Sequence, residues 1–281
     1  MVSYKEKIPW WAKIILKIIL SRMKLPYRFW RKLNLFKHGS MLDASYALSN
    51  FMEHYHKFRD LVPDGYSLLE LGPGDSISTG IIASQRRASK TILVDSGPYA
   101  STSFEQYLPL MSDLGVEAPE SFEEILDWGK IEYFTRGLTS LKKIPSSSVD
   151  IVISNAVLEH IYLNEFEDTI RQLCRIQKPG GVSNHQIEFK DHLAKSLNSL
   201  KFSRDLWEAP WFARSGFYTN RLRACDVTRI FLNQGYSVLS VEYNRWDHLP
   251  LKRELLHLDF RDYSDEDLLI QSMNLLVKKN D

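Results

Sequence analysis

The chain reads as an α/β protein built on a doubly wound, mostly parallel sheet. Two observations predict this. From Ser67 onward, short apolar runs alternate with stretches of helical period, and that alternation marks a parallel sheet covered on both faces. The first run, Leu68-Leu69-Glu70-Leu71, breaks into Gly72-Pro73-Gly74 and then a helix-like stretch. Ligands of open α/β sheets bind at that kind of turn, outside the carboxyl ends of the strands. Glycine at 72 and 74 lets the backbone turn tightly and approach a ligand.

The elements follow in order. Trp10 to Leu25 is predicted helical, with Trp11, Ile14, Ile15, Ile18 and Leu25 at helical spacing and Lys13, Lys17, Ser21 and Lys24 as a polar stripe. Lys13 and Lys17 break its apolar run, and a membrane span needs ~20 apolar residues. It also lacks the small-residue cleavage site of a signal peptide. Tyr27 to Phe36 is aromatic and basic, and a second helix is expected from Asp43 to Arg59. Strands are expected at 67–71, 90–95, 131–134, 149–154 and 181–188. Helices are expected near 77–87, 98–112, 120–129, 164–177 and 226–234. Tyr236 to Tyr243 reads as a later strand, and the alternation from Leu268 to Lys278 as a terminal antiparallel one. Residues 189–222 suit neither type. Their aromatics (Phe202, Trp207, Trp211, Phe212, Phe217 and Tyr218) suggest an insertion over the site. We therefore divide the chain into an N-terminal basic, amphipathic helical extension, 1–60, and a main domain, 61–281.

With 281 residues, 44% hydrophobic and 25% charged, the composition is that of an ordinary soluble globular protein. Cys174 and Cys225 are the only cysteines, which argues for a reducing compartment and against a disulfide framework. The net charge of +1 hides an asymmetry. The first 40 residues carry ten Lys/Arg and one acid, so the arm is +9 and the remainder −8. Such an arm suits an anionic partner: a membrane surface, nucleic acid or the acidic body itself.

The glycine turn selects among nucleotide-type ligands. A dinucleotide fingerprint needs glycine three positions after the second, and position 77 is Ile. No Gly-Lys-Ser/Thr follows, so the turn is not a triphosphate loop. A ligand without a pyrophosphate fits better. The residues resemble those of class I S-adenosylmethionine (SAM) dependent methyltransferases, in a type 11-like subgroup with a Val-Leu-Glu-His element. The resemblance rests on four motifs in order: Glu70-Leu71-Gly72-Pro73-Gly74; Val94-Asp95; Val149 through His160; and Lys178-Pro179-Gly180-Gly181-Val182.

The resemblance implies a Rossmann-like sheet of seven strands, the last inserted antiparallel, and SAM as cofactor. Glu70 would help hold the methionine end, with Gly72, Pro73 and Gly74 forming the turn beneath it. Asp95 would accept the ribose hydroxyls. Ser154, Asn155 and Ala156 would wall the methionine part, and Gly137 and Leu138 would touch the adenine. Arg136 stands where the family has an acid before that last pair. Independently of the resemblance, Glu70 can be an ordinary strand-end acid and Asp95 a helix N-cap.

Methyl transfer is an in-line displacement in which the protein aligns and desolvates the acceptor. A hydroxyl acceptor also needs a base. The candidates are His160 and the cluster from Asn184 to His192. Alternation there puts His185 and Ile187 on one strand face and Gln186 and Glu188 on the other, with Asp191 and His192 following. The spacing matches no standard metal pattern, so no metal is expected, and a solvated polar loop is the alternative. Tyr218, Asn220 and Arg221, in the polar run 214–223, are candidates for gripping a hydroxyl-rich or anionic acceptor. The expectation is SAM-dependent methyl transfer to oxygen of a small-molecule or glycan-type acceptor. The location would be cytoplasmic, and the N-terminal helix would either pack on the catalytic domain as a lid or make peripheral contact at the inner membrane face. The alternatives are a nucleic-acid methyltransferase using the basic arm, and a SAM-binding regulator without turnover.

Overall fold

The computed structural model describes residues 9–22, 40–117 and 119–281. The aromatic, basic stretch Tyr27–Phe36 and most of the basic arm lie outside the described residues.

Among the described residues seven strands form one sheet: β1 (Ser67–Leu71), β2 (Lys90–Val94), β3 (Ile131–Phe134), β4 (Val149–Asn155), β5 (Gln177–Glu188), β6 (Tyr236–Arg245) and β7 (Ile270–Lys279). Their spatial order is β3-β2-β1-β4-β5-β7-β6. The first five pair in parallel, and β7 is antiparallel to both neighbours. The reversal of strand order between β1 and β4 is where an open α/β sheet opens a crevice for ligand. This is the doubly wound sheet expected from the alternation, with the seven strands and antiparallel last strand that the resemblance implied.

Side-chain alternation divides the core. On one face Leu69, Leu71, Val152, Ile187 and Leu275 meet Phe166, Ile170 and Phe231. The last three come from helices α7 (Leu163–Ile176) and α10 (Ala224–Asn233). On the other face Leu68, Leu93, Ile151 and Val182 meet Phe51, Ile81 and Ile125. Those belong to α2 (Ala44–Phe58), α3 (Ser78–Gln85) and α5 (Phe122–Gly129). Asp43 starts α2 by accepting the Tyr46 N–H at 2.9 Å, a side-chain N-cap.

The expected helix over 98–112 is not formed as one element. Only a 3₁₀ turn, Phe104–Gln106, and the short α4, Leu108–Asp113, are helical. The N–H groups of Tyr99 and Ala100 donate to the Tyr133 hydroxyl instead, at 3.1 and 3.2 Å, which holds the chain after β2 in an irregular path.

The N-terminal helix α1 spans Trp10–Ser21. Its Ile14 is buried against Leu193, Trp207, Phe212, Phe217 and Tyr218 of the 189–222 segment. Lys13 donates to the Leu193 carbonyl at 2.7 Å and Lys17 to that of Gly216 at 3.2 Å. Trp11 and Ile15, which the spacing grouped with the packed residues, are exposed at 55% and 53%. The helix is therefore apolar on two sides, one packed and one outward. Among the described residues no helix is long and apolar enough to cross a membrane.

Candidate active site

β1 delivers its carboxyl end into a turn that only glycine makes without strain. Gly72 and Gly74 have φ of +74° and +71°, the left-handed region. A Cβ on Gly72 would collide with the Val157 side chain, so the close approach it permits is to the loop after β4. Gly72 N–H donates to Val94 O at 2.8 Å. Asp95, at the end of β2, accepts the Gly74 N–H at 2.9 Å and the Ser96 N–H at 2.6 Å. It caps no helix; it ties the glycine turn to the neighbouring strand. Burial raises its pKa, against the pull of those N–H bonds.

Glu70 is 4% exposed, and its Oε2 has no hydrogen-bond partner. Burial pushes its carboxyl up to about 8; the Thr79 hydroxyl opposes the rise and Asp95 adds to it. A buried carboxylate oxygen without a partner is costly and invites a cationic one. Around this point the fold gathers the other expected cofactor residues. Pro73 is buried within the turn. Gly137 N–H donates to Asp95 O at 2.8 Å, and Leu138 follows at the start of the short α6 (Gly137–Leu141). Ser154 and Asn155 end β4, and Ala156 has φ +52°, its N–H bonded to Gln186 O.

The fold and the turn now carry their comparison with known proteins. Residues 69–183 match the model of a family described as a methyltransferase domain. This stretch is similar to a methyltransferase domain. A SAM-dependent methyltransferase from Methanosarcina mazei is 13% identical over 80% of this chain and 98% of its own, with a TM-score of 0.52. Methyltransferases from Mesorhizobium loti and Archaeoglobus fulgidus are 14% and 11% identical. They cover 80% and 90% of this chain and 97% and 99% of theirs, with TM-scores of 0.47 and 0.48. At such identities the M. mazei likeness speaks for the fold. No curated protein compared matches the chain. The methyltransferase's cofactor is SAM, and the residues present fit it. Its ammonium and sulfonium suit the unpartnered Glu70 oxygen.

The polar residues expected to do the chemistry divide sharply. His185 is fully buried, shares a 2.7 Å hydrogen bond with Ser154 and packs on Phe231. Burial drives its pKa down to about 3. The strand face it occupies is the one α10 covers, so it is a core residue, away from solvent. Asp191 is also spent internally. Its two oxygens accept the N–H groups of Leu193, Ala194 and Asn198, fixing the loop after β5.

The trio expected to grip the acceptor is likewise turned inward. The Tyr218 hydroxyl donates to Glu208 at 2.7 Å and accepts the Leu163 N–H. Asn220 donates to the carbonyls of Leu158 and Ile161 and accepts the Leu222 N–H. Arg221 is 6% exposed and donates to the Ser199 and Phe202 carbonyls between Trp207 and Phe260. An irregular segment crossing the interior carries carbonyls that must be satisfied, and these side chains satisfy them.

His160 and His192 are brought together and keep exposed surface. Their Nε2 atoms are 3.2 Å apart. Burial holds both pKa values below the ordinary histidine value; Lys17 adds to the effect at both, and His160 adds to it at His192.

Two groups of residues escaped the sequence reading. The first, with Glu53, Asn244 and Asn274 among them, lines an open cleft of about 290 Å³ beside α2 together with Asn155, Gln186 and Glu188. The signal was present in the alternation of β5, which put Gln186 and Glu188 on a face opposite His185. The second is Glu159, read only as part of the Val-Leu-Glu-His element. It is 3% exposed, with Oε2 unpartnered.

Proposed function

We propose that the domain methylates an oxygen of a hydroxyl-rich small molecule or glycan-type acceptor held in the cleft beside α2. One observation carries the reading: Asn155, expected to wall the cofactor's methionine part, also lines that cleft. The remaining lining is mainly amides, carboxylates and hydroxyls, which offer donors and acceptors to sugar-like hydroxyls. Three of the lining residues are glutamates, Glu53, Glu188 and Glu242. Their charge disfavours the phosphates of a nucleic acid.

SAM supplies the activated methyl. The chain's own residues do the rest. Glu70 and Asp95 fix the cofactor side, and the cleft orients the acceptor. The corner formed by His160 and His192 promotes loss of the acceptor's proton; of the four residues first considered as bases, they alone keep exposed surface. Transfer of label from labelled SAM to a panel of sugars, polyols and oligonucleotides tests this. Asn244→Ala should raise KM for the acceptor about three- to tenfold, the worth of one hydrogen bond, and leave SAM affinity unchanged. Transfer to oligonucleotides alone, or an unchanged KM, refutes the cleft as acceptor site. Absence of turnover on every acceptor supports the non-catalytic alternative.

A second reading concerns where the enzyme works. Trp11, Ile15 and Ile19 expose 53–57% of their surface on the outer side of α1, and Trp211 of the segment beneath exposes 53%. With the +9 arm, this face suits peripheral contact with an anionic membrane at the cytoplasmic side. The inner side of the same helix covers the 189–222 segment.

A further inference from the structure

The corner where β5 meets the 3₁₀ turn Leu158–His160 holds three side chains of metal-ligand chemistry that no motif spacing announced. Glu159 and His160 come from that turn, and His192 from the loop after β5. Their ligand atoms all lie within 4.8 Å of one another. We propose that Glu159, His160 and His192 bind one divalent transition-metal ion of the zinc class.

Three features support the assignment. The first is spacing. Two imidazole nitrogens held by one ion at about 2.0–2.1 Å each, at a tetrahedral angle, stand about 3.3 Å apart. The Nε2 atoms of His160 and His192 are 3.2 Å apart.

The second is the tautomer. His160 Nδ1 lies 3.0 Å from the Tyr218 carbonyl oxygen. That oxygen can only accept, so Nδ1 carries the proton and Nε2 presents its lone pair to the corner. Metal-binding histidines are oriented in this way, with the distal ring nitrogen donating to a carbonyl or carboxylate. Without an ion, His192 Nε2–H donates to His160 Nε2. With one, His192 carries its proton on Nδ1, and both Nε2 atoms are ligands.

The third is the carboxylate. Glu159 is 3% exposed, and its Oε1 accepts only the Glu188 N–H, at 3.3 Å. Its Oε2 is buried with no hydrogen-bond partner. A buried acceptor without a donor is rare in a folded protein, and here it sits beside two imidazoles.

The nearby charges do not close the site. Lys190 is paired with Glu188 at 2.6 Å. Lys17, on α1, donates to the Gly216 carbonyl. The two neutral imidazoles and one carboxylate select zinc, iron, cobalt or nickel over magnesium and calcium, which prefer all-oxygen sets. Three protein ligands leave a position for a water or an acceptor oxygen. Glu188, whose N–H reaches Glu159, lines the acceptor cleft. The metal site itself does not depend on the acceptor reading.

The test uses the full, untagged chain stripped with a chelator and titrated with Co²⁺ alone. One equivalent should give the visible d–d bands of a nitrogen- and oxygen-ligated ion. Zn²⁺ should displace it, and Mg²⁺ should not. His192→Ala replaces an exposed loop residue and should lower Co²⁺ affinity at least tenfold, with the unfolding temperature and SAM affinity retained. Glu159→Gln should do the same to Co²⁺, with circular dichroism reporting its fold. A folded, SAM-binding chain that shows no cobalt spectrum overturns the proposal, and so does unchanged Co²⁺ affinity in His192→Ala. Neither result touches the acceptor cleft, which is judged by the KM of Asn244→Ala.

Discussion

Replacing Glu70 with Gln keeps its shape and removes its charge, so it isolates what the buried carboxyl does. In the folded chain burial pushes its pKa from 4.5 up to about 8. Between those pH values the folded state keeps a proton that the unfolded state has lost. The unfolded state then binds fewer protons, so stability falls as pH rises across that window. At about 1.36 kcal/mol per pH unit the full effect is on the order of 3–5 kcal/mol. Glu70→Gln lacks it. The two proteins should unfold at similar denaturant concentrations near pH 4.5, and the Gln variant should be the more stable by pH 8–9. SAM reverses the preference, because its positive charges favour the ionised carboxylate. Binding at pH 7 should release close to one proton, about 0.9 from a group titrating near 8. Calorimetry in buffers of different ionisation enthalpy reads that proton directly. A binding heat indifferent to buffer in the wild type, or identical pH–stability profiles for the two proteins, would refute the role given to Glu70.

Two further outcomes are expected. Gly72→Ala should cost about 1–2 kcal/mol for the left-handed backbone and about 1–3 kcal/mol more for collision with Val157. Adding Val157→Ala should recover only the second part, and unfolding curves that leave Gly72→Ala at wild-type stability would dismiss the close approach. The full chain should co-sediment with anionic vesicles in a salt-sensitive way, and a chain starting at Met41 should not; equal, negligible sedimentation of both removes the membrane contact.

The parts of this protein that could be read from its sequence are those governed by neighbours in the chain. Strand alternation and the two glycines of the turn after β1 are local constraints, and they led to β1–β5 and to Glu70 and Asp95. The polar runs were harder, because a side chain's type does not say which way it faces. His185 and Gln186 are adjacent, yet one lies in the core against Phe231 and the other lines the cleft. Asn220 and Arg221 have the chemistry of substrate contacts but meet carbonyls brought near by the tertiary path. Glu159 gained its meaning only when a loop 32 residues beyond His160 delivered His192 beside it.

The place of β7 has a consequence for how the protein comes into being. It is the last strand in chain order, yet it lies between β5 and β6. While a ribosome is still making residues 246–269, β1–β5 can already assemble, but the edge of β5 from Val182 to Glu188 has no partner. An open edge of this kind templates pairing with other chains. β6 is also without its neighbour until Lys279 has emerged. The half that carries the glycine turn is thus made well before the sheet can close. Crowded nascent chains are most vulnerable to aggregation in that interval, so slower synthesis and chaperone capacity should govern the yield of folded enzyme more than its final stability does.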